Sequence, residues 1–158
     1  MNPTFRFSRS RSPRRVRRNA GFTLIESMVT IGIAAVLSSV AYPSLEGQVM
    51  RARRSDALVA LMQAQLAQER FRANNASYGS LVDAGVRPTS PAGHYRIAVV
   101  SSDAAGFDLL ASAVAGQARD ARCRHLRLAL ADATLIYASG SDATTANGAD
   151  ANRACWNR

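Results

Sequence analysis

The chain contains no lysine, so all twenty of its basic side chains are arginines. That bias carries no functional reading, but other scarcities exclude more. There are two histidines, His94 and His125, and two cysteines, Cys123 and Cys155, with no zinc-ligand spacing among them. A metal centre needs more ligands than these supply. The chain has no glycine-rich phosphate loop and no nucleophile motif, and Asp103 and Asp108 bracket a hairpin, where aspartate is ordinary turn chemistry. Neither an enzyme nor a bound cofactor is therefore expected. Aromatic residues make up only 6% of the chain, which gives little support to base stacking. No internal repeat is present. The first 21 residues contain no acid at all.

What is there is unevenly placed. Seven arginines (Arg6, Arg9, Arg11, Arg14, Arg15, Arg17, Arg18) precede residue 22, and the other thirteen face all eleven acids after it. The formal charge of +9 thus belongs mainly to an N-terminal arm rich in arginine, serine and proline. Such an arm is a nucleic-acid tail, a targeting region or the cytoplasmic flank of a membrane span. The next segment decides. Phe22 to Ala41 holds a single charge, Glu26, and as a helix it would cover about 30 Å, the thickness of the hydrocarbon layer. The arginines before it outnumber Arg51, Arg53 and Arg54 after it, which puts the N-terminus in the cytoplasm and everything beyond residue 42 outside. Both cysteines then lie on the oxidising side, where an even count favours a Cys123–Cys155 disulfide. Two free thiols are the alternative.

Beyond Pro43, expected to kink the helix, the pattern stays helical and becomes amphipathic. Leu45, Val49, Ala52, Val59, Met62 and Leu66 form an apolar stripe, widened by Leu58, Leu61 and Phe71, and this face is expected to pack on a domain. The helix should fade near Asn74. Residues 75–93 read as a long loop. Four short strands follow, at 95–99, 107–111, 126–130 and 134–137, spaced as an antiparallel meander. The tail from 139 to 154 shows no periodicity.

Glu26 is the anomaly. An acid in an apolar helix is costly, and Arg51, the next arginine along the chain, is too far to pair with it. An α-amino group on another copy would serve, if the chain were cut just before Phe22. Gly21-Phe22-Thr23-Leu24-Ile25-Glu26, after a basic leader and before an apolar helix, resembles the processing site of type IV pilins. The resemblance extends to Ala41-Tyr42-Pro43-Ser44, to residues 51–57, to Gln68-Glu69-Arg70-Phe71 with Asn75 to Tyr78, and to Cys155-Trp156, which is similar to the end of a minor pilin of the PilE type. It implies that a prepilin peptidase cuts between Gly21 and Phe22 and methylates the Phe22 amine. It further implies that Glu26 pairs with that amine on a neighbouring subunit.

The expectation is an α+β fold: a long kinked N-terminal helix packed on a four-stranded antiparallel sheet, with a disulfide-closed C-terminal loop. Residues 1–21 would be the leader, 22–42 the membrane and assembly helix, 43–74 its amphipathic second half, and 75–158 the globular part. The expected function is that of a pilus subunit for pilus biogenesis, adhesion or motility. Its partners would be the peptidase, other pilins, the assembly machinery and the inner membrane, which it leaves for an extracellular pilus. A type II secretion pseudopilin is one alternative. Another is a DNA-binding pilus subunit, for which Arg119, Arg122, Arg124, His125 and Arg127 form a candidate patch. A solvated basic sheet edge accounts for the same residues, and nucleic acid is the less favoured partner. A secretory signal cut after Ala41 is disfavoured by Glu26 and by the length of the apolar run.

Overall fold

The computed structural model describes residues 21–157, the side chains of residues 40–44 excepted. The leader arginines lie outside the described residues, as does the side chain of Pro43, where a kink is expected. The chain divides into two compact units, one ending at Ser39 and one beginning at Val40.

The first helix, α1, runs over Leu24–Arg72. It starts with Thr23, whose hydroxyl accepts the Glu26 amide at 3.3 Å. Thr-x-x-Glu is a capping-box sequence, and an acid in the first turn suits the positive end of the helix dipole. Four strands follow: β1 (Tyr95–Ser102), β2 (Phe107–Ala113), β3 (His125–Ala131) and β4 (Thr134–Gly140). They pair in sequence order, all antiparallel. This is the expected meander, each strand running one to three residues past its expected end. The β3–β4 hairpin turns on Asp132 and Ala133, both at positive φ (48° and 60°), as a two-residue primed turn requires.

The expected helix face is corrected in part: Leu61 is buried and Leu58 packs against the core as expected, and the side of α1 in the core is completed by Ala57, Ala60, Ala64 and Gln68, all buried. Val59, Met62 and Leu66 are 45–56% exposed. Both stripes have the helical period, so periodicity cannot choose between them. Tyr95, Ile97, Leu109, Leu126 and Leu128 complete the core with these helix residues.

Polar side chains tie the connecting segments to this layer. Gln68, fully buried, donates to the Gly79 carbonyl at 2.7 Å and accepts the Gly79 amide at 3.0 Å. Asp56 accepts from Ser90 Oγ and from the Ala92 and His94 amides. The 75–93 loop is thereby held at both ends. The C-terminal tail, read as aperiodic, contains a short helix, α2 (Ala149–Cys155). The Cys123–Cys155 disulfide is formed, and Trp156 donates to the Ala138 carbonyl while its ring meets Tyr137 edge-on.

Candidate functional site

At the N-terminal end, Gly21, Phe22 and Glu26 are all exposed. A Cβ at Gly21 would meet no atom within 4 Å, and the residue has no positive φ. Nothing among the described residues therefore requires glycine there. Among the described residues, no helix is long and apolar enough to cross a membrane. The described apolar stretch stops at Ser39, short of the span expected over 22–42.

The candidate basic patch divides by partner. Arg127, on the outer face of β3, makes a salt bridge to Asp108 across the β2–β3 pair. Asp108 is therefore an ion-pair partner in β2, correcting its expected role as a turn residue. Asp103 keeps that role, accepting the Ala105 and Gly106 amides. Arg119 bridges to Glu46 at 3.0 Å. Arg124 donates to the Ala118 carbonyl. His125 shares a hydrogen bond with Ser112 Oγ, and burial together with the neighbouring Arg124 charge holds its pKa below the usual histidine value, favouring the neutral ring. Arg122 alone of the five is exposed with no acid beside it.

Other arginines exposed without a paired acid lie elsewhere. Arg70, in the last turn of α1, and Arg87 line a groove of about 220 Å³ between that helix and the 85–89 segment. Gln63 and Thr89 add polar walls. A bridge between Thr89 and Arg96 brings the exposed Arg96 of β1 to the same edge. Sequence reading missed this grouping because the three residues are spread over two elements and a loop. The available signal was partial: Arg96 has no acid three or four residues away, whereas Arg87 follows Asp83 by four.

A buried network anchors the opposite end of this unit. Arg54 donates to both Asp120 oxygens, at 2.7 and 3.0 Å, and to the Ala154 carbonyl. Gln117, in the 3-10 turn Ala115–Arg119, donates to the Met50 carbonyl and to the Tyr95 hydroxyl. Burial pushes the Tyr95 pKa up to about 12. Among the described residues no cluster of His, Cys, Asp and Glu has a metal-binding arrangement.

A family model described as type IV minor pilin ComP, DNA uptake sequence receptor, matches residues 43–127. The chain belongs to that family. A second model, the prokaryotic N-terminal methylation motif, matches residues 16–42, the region carrying Gly21, Phe22 and Glu26. No curated protein matches the chain. The protein is a type IV minor pilin with a prepilin-type N-terminus, structural and without catalysis. Such a terminus belongs to a membrane-anchored prepilin that assembles into a pilus. DNA, the less favoured partner from sequence, is named in the family's own description.

Proposed function

We propose that this minor pilin receives DNA at the pilus for uptake. The observation that carries the reading is the match of residues 43–127 to the DNA uptake sequence receptor family. The geometry supports a phosphate-binding edge formed by Arg70, Arg87 and Arg96, each exposed and none neutralised by an acid. Guanidinium groups suit phosphate oxygens because their planar fork offers two parallel donors. Of the original patch, only Arg122 is both exposed and without a paired acid.

The test is binding of labelled duplexes to the full-length protein in detergent, at several salt concentrations. Each phosphate neutralised adds about 0.9 to the slope of log affinity against log salt, so Arg70→Gln with Arg87→Gln should lower that slope by about 2. Arg153→Gln, at a residue paired with Asp150 on α2, should leave it unchanged. Equal slopes for wild type and the double variant would remove this edge as the DNA contact. No measurable binding by the wild type would remove the uptake reading.

The N-terminal roles belong to the same proposal. The leader, residues 1–21, is cut before Phe22 on the cytoplasmic side, Phe22 is methylated, and residues 22–42 hold the subunit in the inner membrane until it joins an extracellular pilus. The open space around Gly21 supports this, since the demand for a side chain no larger than hydrogen then comes from the peptidase.

A further inference from the structure

A second groove, of about 250 Å³, lies at the start of the Val40–Arg158 unit, between α1 and the Ala115–Arg119 turn. Its floor is Leu45 and Val49, 57% and 46% exposed, and its rim carries Arg53, Arg119 and Glu46. The two guanidinium groups flank Gly116, each with a nitrogen 3.8 Å from the point where a Cβ would stand there. Arg119 is held at 3.0 Å by Glu46, while Arg53 has no acid beside it. Two cations against one acid leave the rim positive above an apolar floor. That combination matches an amphiphile with an anionic head.

Covalent distance names the source. Leu45 follows the end of the apolar segment at Ala41 by four residues, which span at most about 14 Å fully extended and about 6 Å as helix. The headgroup layer is about 5–8 Å thick on each side of the hydrocarbon. We infer that this groove seats the headgroup of an anionic phospholipid of the outer leaflet of the inner membrane. In the stored subunit the phosphate lies between Arg53 and Arg119, with the glycerol and first methylenes on Leu45 and Val49. The lipid exchanges with Glu46 for Arg119, so the contact is lost without strain when the subunit is extracted. The inference rests on the membrane reading of residues 22–42 and is independent of the DNA reading.

The experiment places the full-length protein in nanodiscs of phosphatidylcholine alone, or with phosphatidylglycerol, and follows amide hydrogen exchange. Each arginine close to an anionic surface contributes on the order of a fivefold factor. Amides of residues 115–119 should therefore exchange about fivefold more slowly with phosphatidylglycerol. Arg53→Gln should remove most of the difference and Arg153→Gln none, with Trp156 fluorescence reporting that each variant is folded. Equal wild-type exchange in the two lipids overturns the proposal without reference to any variant. The same protection from inorganic phosphate in phosphatidylcholine discs overturns it in favour of a free-anion site. Failure of the chain to insert overturns the membrane reading and this inference together, whereas insertion with equal exchange overturns this inference alone.

Discussion

A methyl group at Gly106 would stand 1.9 Å from the carbonyl oxygen of Leu130. Phe107 and Leu130 are register partners across β2 and β3, so neither backbone can withdraw without breaking the sheet. Gly106→Ala should cost about 3 kcal/mol, the upper end for forced overpacking, and lower the melting temperature by on the order of 10 °C. Thermal unfolding monitored by circular dichroism checks this, and a shift within error would mean that the hairpin relaxes freely. Tyr95 makes a second prediction. It is fully buried, and burial raises its pKa from 10.0 to about 12, with the Asp120 and Asp56 charges adding to the rise and Gln117 and Arg54 opposing it. An acid whose folded pKa lies above its unfolded value stabilises fully below the unfolded pKa. That contribution is lost as pH rises from 10 through 12. Denaturant unfolding in steps across this window should show a fall that Tyr95→Phe flattens, and tyrosinate absorbance should report Tyr95 among the last tyrosines to ionise. At acid pH the corresponding group is Asp56, where burial raises the pKa but Ser90 and the Ala92 and His94 amides outweigh it, leaving it below the usual value.

At the scale of elements, what could be read from sequence followed the strength of the repeating signal. Tyr95-Arg96-Ile97 and Leu126-Arg127-Leu128 alternate because one face of the sheet is buried and the other is not, and both became strands. The helix was legible in length but not in orientation. Two stripes shared its period: Ala57, Ala60, Leu61 and Ala64 are buried, whereas Val59, Met62 and Leu66 stay about half exposed. Hydrophobicity alone does not choose between them. Helix α2 was not legible at all, since its seven residues hold no apolar repeat. It is held by Asn152, which donates to the Tyr137 carbonyl and accepts from Ser139 Oγ, and by the disulfide. The cysteines close a loop with a sequence separation of 32, which in the chain-entropy picture contributes about 3.5–4 kcal/mol. Reduction should lower stability by about that amount and release α2 before the sheet opens. Hydrogen exchange after reduction should show early loss of protection in 149–156 with β2 and β3 still protected. Simultaneous loss throughout would show that α2 and the sheet unfold as one unit.

At the scale of the whole molecule, the site was legible where it is linear and obscure where it is assembled. The Gly21 to Glu26 motif stands in six consecutive residues, and the match of residues 16–42 to the N-terminal methylation motif falls on the same stretch. The exposed arginine edge depends on which acids fold back onto which arginines, as Asp108 does onto Arg127 and Glu46 onto Arg119, and no linear pattern holds that information. Glu26 joins the two scales. Within one subunit it lies exposed in the first turn of α1, where an acid suits the helix dipole. Loss of that contribution is worth only about 0.3–1 kcal/mol, too little to prevent folding. If its further role is to receive the Phe22 amine of a neighbouring subunit, Glu26→Ala should still be inserted and cleaved, since removing a charge eases insertion into an apolar layer. The defect should fall on incorporation, because an ammonium buried without its partner costs about 3–5 kcal/mol, a factor on the order of 10²-fold or more in subunit addition. Glu26→Gln, keeping an acceptor without the charge, should fall between. The measurement is the ratio of subunit in purified pili to subunit in the membrane pool. A wild-type ratio for Glu26→Ala would leave the acid with its helix-dipole contribution alone, and the register of assembly would have to be set by other contacts of the helix.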